Sequence, residues 1–425
     1  MQLRSSRRLR AALGAVAVLA LALTGCSGED TVTYTPPAQA EGELPDDTVT
    51  QLQAAVDQAL EVTGTPGAVV GVWVPWSGTW VSATGTQGAA SDAKVSADMS
   101  FRAATVTRMM TCDVLYGMAD DKLIPLDGAV PEYVPGVADM EDATLLDLCN
   151  GTAGIGSSKS TVQPYLENTP GREWAPLQLA SFGLGEKRSE LGVYRESDAG
   201  YLMLGMALER ASGKSAQELI GEYVADPLEL TDTMLPGDAA AAPTPEPAMS
   251  GNYLPKIEGG YDCTAPIDAT ELSASAGFTD SGVTMTIEDL GRYAQAEARQ
   301  ALRAENAKPA RYSDPQPVSE SAPSWYQATG GAYLVGSMVG QHGSILGYSV
   351  ATYSDPATGF TVAVSMNNST AGGTAAYLAW QLAAIASKAP AAKGETAPEF
   401  GLPFTAEQYQ KQIADTKTCV APPAE

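Results

Sequence analysis

Residues 101–110 read FRAATVTRMM, and they begin the helix around which the rest of the chain can be arranged. The apolar positions of this helix are Val106, Met109, Met110, Val114 and Met118. Their spacing predicts a buried helix. Thr105 and Arg108 are three positions apart, so they should share one helix face. A hydroxyl becomes a nucleophile when a neighbouring nitrogen accepts its proton, but arginine stays protonated at every accessible pH. The stretch therefore joins a candidate nucleophile to a nitrogen that cannot act as its base.

The segments before this helix predict another helix and a β-hairpin. The first helix is marked by Val49, Leu52, Val56 and Leu60, and Gly64 ends it. Residues 67–85 read GAVVGVWVPWSGTWVSATG, which are two β-rich runs around a PWSG turn. The hairpin contains Trp73, Trp76 and Trp80. Tryptophans at this spacing favour core and turn packing over stacking on a ligand.

The segments after this helix change from helical to β-rich. Residues 199–213 (AGYLMLGMALERASG) and 286–299 (TIEDLGRYAQAEAR) predict helices. Apolar runs at 332–340, 347–354 and 359–366 predict strands, and 374–388 predicts a closing helix.

These segments predict an α/β (α+β) fold with one antiparallel sheet, formed by the first and last segments and flanked by terminal helices. An all-α domain is inserted between them. The predicted body spans 45–390, with an α/β part at 45–110 and 275–390 and a helical part at 111–274. Residues 391–425 form a C-terminal tail.

Residues 1–25 predict a signal peptide, because a charged start precedes an apolar run too short for a stable transmembrane helix. The run ends in LTGC, which resembles the lipobox of bacterial lipoproteins and predicts a lipid on Cys26. An ordinary secretory signal with a chance cysteine is the alternative. Residues 26–44 are polar, acidic and interrupted by proline, which predicts a disordered tether.

The chain is strongly acidic, with 50 acidic and 25 basic residues. Without the four arginines of the predicted signal peptide, the net charge is near −29, which argues against a nucleic-acid partner. His342 is the one histidine of the chain, so any Ser-His-Asp triad would have to use it. The cysteines lack metal-site spacing, and no metal or cofactor is expected.

Six motifs together resemble the serine β-lactamase and D-alanyl-D-alanine carboxypeptidase family, in its class C and esterase-like branch. They are PGAVVGV (66–72), FRAATVTR (101–108), LLDLCNGTAGI (145–155), DAGYLMLGMALERASGKS (198–215), DPLELTDTML (226–235) and QHGSILGYS (341–349). Their order and spacing cover most of the chain. The resemblance implies a β-lactamase/transpeptidase-like fold with a cleft between the two parts of the body.

That family works through Ser-x-x-Lys, Tyr-x-Asn and Lys/His-x-Gly clusters. The corresponding positions here are Thr105 and Arg108, then Glu196 and Asp198, then Gln341 and Gly343. The backbone N–H groups of Thr105 and Ser344 would form the oxyanion hole. His342 takes the variable middle position, and its side chain should point away from Gln341. Because the glycine alone is unchanged, normal hydrolysis is not expected.

The replacements also suggest an ion pair in the former active site. Arg108 could bond Glu196 or Asp198 and turn the site into a structural clamp. The alternative is that Arg108 points to solvent and the two acids are ordinary loop residues.

The four cysteines that remain after Cys26 suggest two disulfides in an exported chain, with three possible pairings. The resemblance implies which cysteines pair. Cys112 lies shortly after Arg108, and Cys149 ends a helix that packs on the same helix in the family, so these two cysteines should pair. Cys263 would then pair with Cys419. Four reduced cysteines are the alternative.

Three functions remain open. The first is a cell-envelope lipoprotein, lipid-anchored outside the cytoplasm, with a decayed catalytic set that binds a peptidoglycan-type peptide or an envelope protein. The second is an esterase or peptidase with Thr105 as nucleophile and Glu196 as base, although Arg108 would lower the pKa of Glu196. The third is a structural lipoprotein without a ligand.

Overall fold

The computed structural model describes residues 34–88, 91–304, 307–416 and 418–420. The predicted signal peptide, Cys26 and the first part of the predicted tether lie outside these residues. Within them, the chain has a mixed α/β structure built on a large antiparallel sheet, so the predicted fold class is confirmed. Every helix that is described is too short or too polar to cross a bilayer.

The strands are β1 (Gly67–Val74), β2 (Gly78–Gly85), β3 (Phe101–Arg102), β4 (Ala240–Ala241), β5 (Asn252–Tyr253), β6 (Lys256–Ile257), β7 (Gly260–Tyr261), β8 (Ile267–Asp268), β9 (Leu272–Ser273), β10 (Thr284–Met285), β11 (Gln316–Pro317), β12 (Tyr326–Thr329), β13 (Ala332–Val335), β14 (Met338–Ile345), β15 (Tyr348–Ser354) and β16 (Thr361–Met366). In the described ranges, the main sheet has the spatial order β11-β12-β13-β14-β15-β16-β1-β2. Its neighbouring strands are antiparallel, and β1 lies between β16 and β2. The first hairpin and the last strands therefore share one sheet, as predicted.

The helices are α1 (Asp46–Thr63), α2 (Val106–Asp120), α3 (Val130–Tyr133), α4 (Leu145–Asn150), α5 (Lys159–Asn168), α6 (Pro176–Leu184), α7 (Asp198–Ser212), α8 (Ala216–Ile220), α9 (Asp226–Leu228), α10 (Phe278–Ser281), α11 (Ile287–Ala298), α12 (Thr374–Ala386) and α13 (Ala406–Ala414). Short 3₁₀ turns cover Ala138–Met140, Ala274–Ala276 and Ser369–Ala371, and a π turn covers Gly221–Ala225. The helices α2 to α11 lie in sequence between β2 and β11.

The sheet separates two hydrophobic cores. Val69 of β1 belongs to the core that includes α2 and α11, while its neighbour Val70 belongs to the core that includes α1 and α12. Side chains of a strand alternate between the two faces, so a strand in the middle of this sheet is covered on both sides. This explains why β15 and β16 are buried along their whole length.

The hairpin tryptophans have packing roles, as predicted. Trp76 and Trp80 are buried in the core beneath α12, and Trp76 stacks on Phe360 with ring centroids 5.8 Å apart. Trp73 packs against the other core.

Both predicted disulfides are present. Cys112 of α2 pairs with Cys149 of α4, with Cα atoms 5.6 Å apart. Cys263 pairs with Cys419, with Cα atoms 5.5 Å apart. The first bond joins the helix that carries Arg108 to the helical part of the body. The second joins the C-terminal segment to the loop after β7.

The two ends of the described chain differ from the sequence-based expectation. Residues 34–44 were expected in a disordered tether, but Tyr34 and Leu44 are buried. The side chain of Gln39 donates to the carbonyl oxygens of Val74 and Gly78, at 2.8 and 3.1 Å. The tether prediction is therefore wrong for this part, because its few apolar and amide side chains find partners on the sheet. In the C-terminal tail, α13 packs on α12.

Candidate functional site

Thr105 is the N-cap residue of α2 and is 2% exposed. Its hydroxyl oxygen has no hydrogen-bond partner among the described residues. A Cβ atom added to Gly343 would collide with the Thr105 side chain, so only glycine fits opposite it. The structure therefore brings the predicted nucleophile position and the predicted glycine of β14 together, but it supplies no base to the hydroxyl.

Arg108 forms the buried centre of the site. Its Nε donates to Oδ1 of Asp280 and its Nη2 donates to Oε1 of Glu196, each at 2.7 Å. The guanidinium also lies 4.8 Å from the ring centroid of Tyr201. Burial alone would lower the pKa of Arg108, but the charges of Asp280 and Glu196 outweigh it and raise that pKa well above its ordinary value. Arg108 is therefore a permanent cation, and the predicted ion pair with Glu196 is confirmed.

Glu196 lies between two cations. Lys159 at the start of α5 donates to the same Oε1 atom at 3.3 Å. Burial would raise the pKa of Glu196, but Lys159 and Arg108 outweigh it and hold that pKa far below its ordinary value. A carboxylate held so firmly in its charged form is a weak general base, because it has little tendency to accept a proton.

Asp198 is not hydrogen-bonded to Arg108, so of the two candidate partners Glu196 is the one that forms the ion pair. The carboxylate of Asp198 accepts from the Ser157 hydroxyl at 2.8 Å, from the backbone N–H of Ser158 at 2.7 Å, and from the Ser158 hydroxyl. Asp198 is also the first residue of α7, where a negative charge is favoured by the helix dipole. The carboxylate of Asp198 therefore has local hydrogen-bond donors, and other acids pair with Arg108.

Sequence reasoning missed two charged residues of this site. Asp280 lies on α10, and 172 positions separate it from Arg108. Lys159 contacts the Glu196 that the motifs had marked. One signal was available for Asp280, since it is the one charged residue between Glu271 and Glu288. A lone acid in an uncharged stretch is usually paired when it is buried.

Strand β14 presents opposite faces to the two cores, as predicted for Gln341 and His342. The Gln341 side chain donates to the carbonyl oxygen of Gly331 at 2.7 Å and is buried. His342 instead stacks on Tyr333, with ring centroids 4.7 Å apart, and its Nδ1 lies 2.6 Å from the Tyr353 hydroxyl. Burial lowers the pKa of His342 to about 4. His342 is therefore a neutral, half-buried residue on the far face from Thr105 and Gly343.

A small cleft, of about 70 Å³, opens beside the ion-pair cluster. Its polar walls include Ser158, Lys159, Asp198, Asp280, Ser281 and Ser344. Its apolar walls are Val162, Leu166, Leu179, Ala276, Ile345 and Leu346. The cleft therefore places charged groups beside a small apolar surface, which suits one end of a peptide rather than a whole ligand. The described residues contain no cluster of ligands suited to a metal ion.

Comparison with known proteins gives one family match. The family model described as Beta-lactamase matches residues 52–387, which is most of the chain. Among curated proteins, the esterase/β-lactamase LipL of Mycobacterium tuberculosis is 30% identical over 175 residues. That match covers 40% of this chain and 35% of LipL, so it spans about a third of this relative.

Solved structures show the same fold. A D-stereospecific amidohydrolase from Streptomyces sp. superposes with a TM-score of 0.67 at 21% identity, over 77% of this chain and 96% of that one. The D-amino acid amidase of Ochrobactrum anthropi SV3 has a TM-score of 0.63 at 17% identity, over 76% and 92% of the two chains. At these identities the likeness concerns the fold.

Proposed function

Because the chain belongs to the β-lactamase family, we propose that it is an envelope lipoprotein whose cleft binds a peptidoglycan-type peptide, with the catalytic machinery of the family impaired. The lipid on Cys26 would hold it to the outer face of the cell membrane. The cleft would still bind its ligand but would no longer hydrolyse it. An envelope protein bound at or near the same cleft is the related form of this proposal.

The permanent positive charge of Arg108 is the observation that supports the loss of catalysis. In the family, a lysine at this position can give up or accept a proton beside the nucleophile. Here the cation is held by two carboxylates at 2.7 Å and cannot become neutral. General acid–base catalysis contributes roughly 10²- to 10⁴-fold, and groups acting together fail together.

The alternative base, Glu196, is disfavoured by the same cluster. Its pKa is held low by Lys159 and Arg108, so its carboxylate does not readily take a proton from Thr105. We therefore rank the esterase or peptidase hypothesis below the binding hypothesis.

The chemistry of the cleft favours a peptide end as the ligand. The side chain of Lys159 is 40% exposed and lines the cleft. The apolar residues beside it are Val162 and Leu166 of α5, Ile345 of β14, and Leu346 directly after that strand. An exposed ammonium can pair with a carboxylate, while the apolar walls can take a methyl or larger side chain. A peptide ending in D-alanyl-D-alanine offers both groups.

Two measurements on the full-length protein test this proposal. Calorimetric titration with a peptide ending in D-alanyl-D-alanine should show binding that Lys159→Met weakens roughly tenfold. Lys94→Met removes an exposed lysine outside the cleft and is the matched control. Absence of binding, or equal affinity in Lys159→Met, would remove the peptide ligand from the proposal.

Intact-mass analysis tests the second half of the proposal. After incubation with a penicillin, and separately with an activated serine-hydrolase probe, no adduct should form. A stoichiometric adduct mapped to Thr105 would show a working nucleophile and overturn the loss of catalysis.

A further inference from the structure

A second cavity, of about 300 Å³, lies in the helical part of the body. Its walls come from the residues before α6, the end of α7, the start of α8, and the two segments around 235–238 and 274–278. Its side chains include Trp174, Glu209, Ser215, Asp238, Ser275 and Phe278. It shares no lining residue with the cleft, so it is a separate place for a ligand.

The charged residues that line this cavity are both acids. Glu209 and Asp238 line it, and no lysine or arginine does among the described residues. Burial raises the pKa of Glu209, a hydrogen bond from the Ala216 backbone lowers it, and the charge of Asp238 raises it further. A positive group placed between the two carboxylates would relieve both the burial of Glu209 and the repulsion from Asp238.

The aromatic wall adds a second feature. Trp174 is 4% exposed, and its indole nitrogen has no hydrogen-bond partner among the described residues. The guanidinium of Arg172 already stacks over this indole, 3.7 Å from the ring centroid. Arg172 already makes the cation–π contact with this ring, so Trp174 contributes apolar surface for the body of a ligand, and the two carboxylates are the groups that favour an ammonium. An oxygen on the same ligand could accept the hydrogen bond that the indole N–H leaves unmade.

We propose that this cavity binds a primary organic amine with an aromatic or similarly bulky apolar body, its ammonium held by Glu209 and Asp238. The site is independent of the function proposed for the cleft. The two sites are nevertheless neighbours along the chain, because Phe278 lines the cavity while Asp280 lines the cleft and holds Arg108. Phe278 has a φ of 38°, which is unusual for a bulky residue.

Calorimetric titration of the full-length protein with phenethylamine is the direct test, with 2-phenylethanol and 3-phenylpropanoate as neutral and anionic matches. We expect the amine to bind and the other two probes to bind at least roughly tenfold more weakly. Glu209→Gln keeps the acceptor oxygen for Ala216, and Asp238→Asn changes an exposed residue. Each should weaken binding of the amine, and the double variant should weaken it most.

Two control variants test where the amine binds. Glu132→Gln removes an exposed carboxylate away from the cavity and should leave binding of the amine unchanged. Gln163→Trp narrows the cleft and should also leave it unchanged. Equal binding of the three probes, or full binding in the Glu209→Gln/Asp238→Asn variant, would overturn the proposal. Binding lost in Gln163→Trp would move the amine to the cleft and would likewise overturn it.

Discussion

Replacing Arg108 with methionine removes the central cation of the site while keeping an apolar side chain in its place. The carboxylate of Asp280 is then left without its cation, with a side chain that is 4% exposed. Glu196 remains paired with Lys159, and its side chain is 41% exposed. Its contribution to the lost free energy of unfolding is therefore small. Leaving one partner of a buried ion pair uncompensated costs about 3–5 kcal/mol.

This free energy converts to a measurable change in melting temperature. The unfolding entropy of a folded body of roughly 380 residues is about 0.8 kcal/mol/K, so Tm should fall by about 4–6 °C. Differential scanning calorimetry at pH 7 measures this change. Amide hydrogen exchange should also become faster in α10 and around Glu196, because the clamp no longer joins them to α2.

A double-variant cycle separates the ion pair from general damage. Because Arg108→Met and Asp280→Asn remove the same interaction, the double variant should lose at least roughly 1 kcal/mol less than the sum of the single losses. Arg210→Met, at an exposed position on α7, should stay within about 0.5 kcal/mol of the native protein. A Tm within about 1 °C of the native value for Arg108→Met, or strictly additive losses, would refute the clamp.

Three further predictions concern other parts of the chain. Burial lowers the pKa of His342 to about 4, so the unfolded chain protonates this histidine at a higher pH than the folded chain does. The free energy of unfolding should therefore fall as pH drops from about 6.5 toward 4. Urea unfolding should show a smaller fall in the His342→Gln variant. Replacing Cys112 and Cys149 with alanine opens a loop of sequence separation 37 and should cost roughly 4 kcal/mol; equal Tm values for the native protein and this variant under non-reducing conditions would contradict it. Cys26→Ser should move the protein from the membrane fraction to the soluble fraction of its cells, and unchanged sedimentation would argue against the lipid anchor.

Much of the fold could be predicted because it follows from local patterns. The hairpin at 67–85 and the strands β15 and β16 have the alternation and turn residues that pairing requires. The helix α2 has its apolar residues at helical spacing and is buried where predicted. The stretch 34–44 was misjudged because its polar composition masks a few side chains that reach the sheet.

The site could be predicted only in part. The motifs marked Thr105, Arg108 and Glu196, and the last two form an ion pair. They also suggested Asp198 as a partner, yet the neighbouring serines already satisfy its carboxylate. Asp280 had no motif, because a buried carboxylate is recognised by its tertiary partner rather than by the residues next to it.

The sequence by itself determined the element types, the order of the strands along the chain and the loss of a neutral base at position 108. These depend on side-chain chemistry and on spacings of a few residues, which are the same before and after folding. The tertiary structure alone decided which acids hold Arg108, that Lys159 joins them, and that a cleft stays open beside the cluster. The physical reason is distance along the chain: ion pairing and burial depend on separation in space, and folding brings Arg108 within 2.7 Å of a residue 172 positions away.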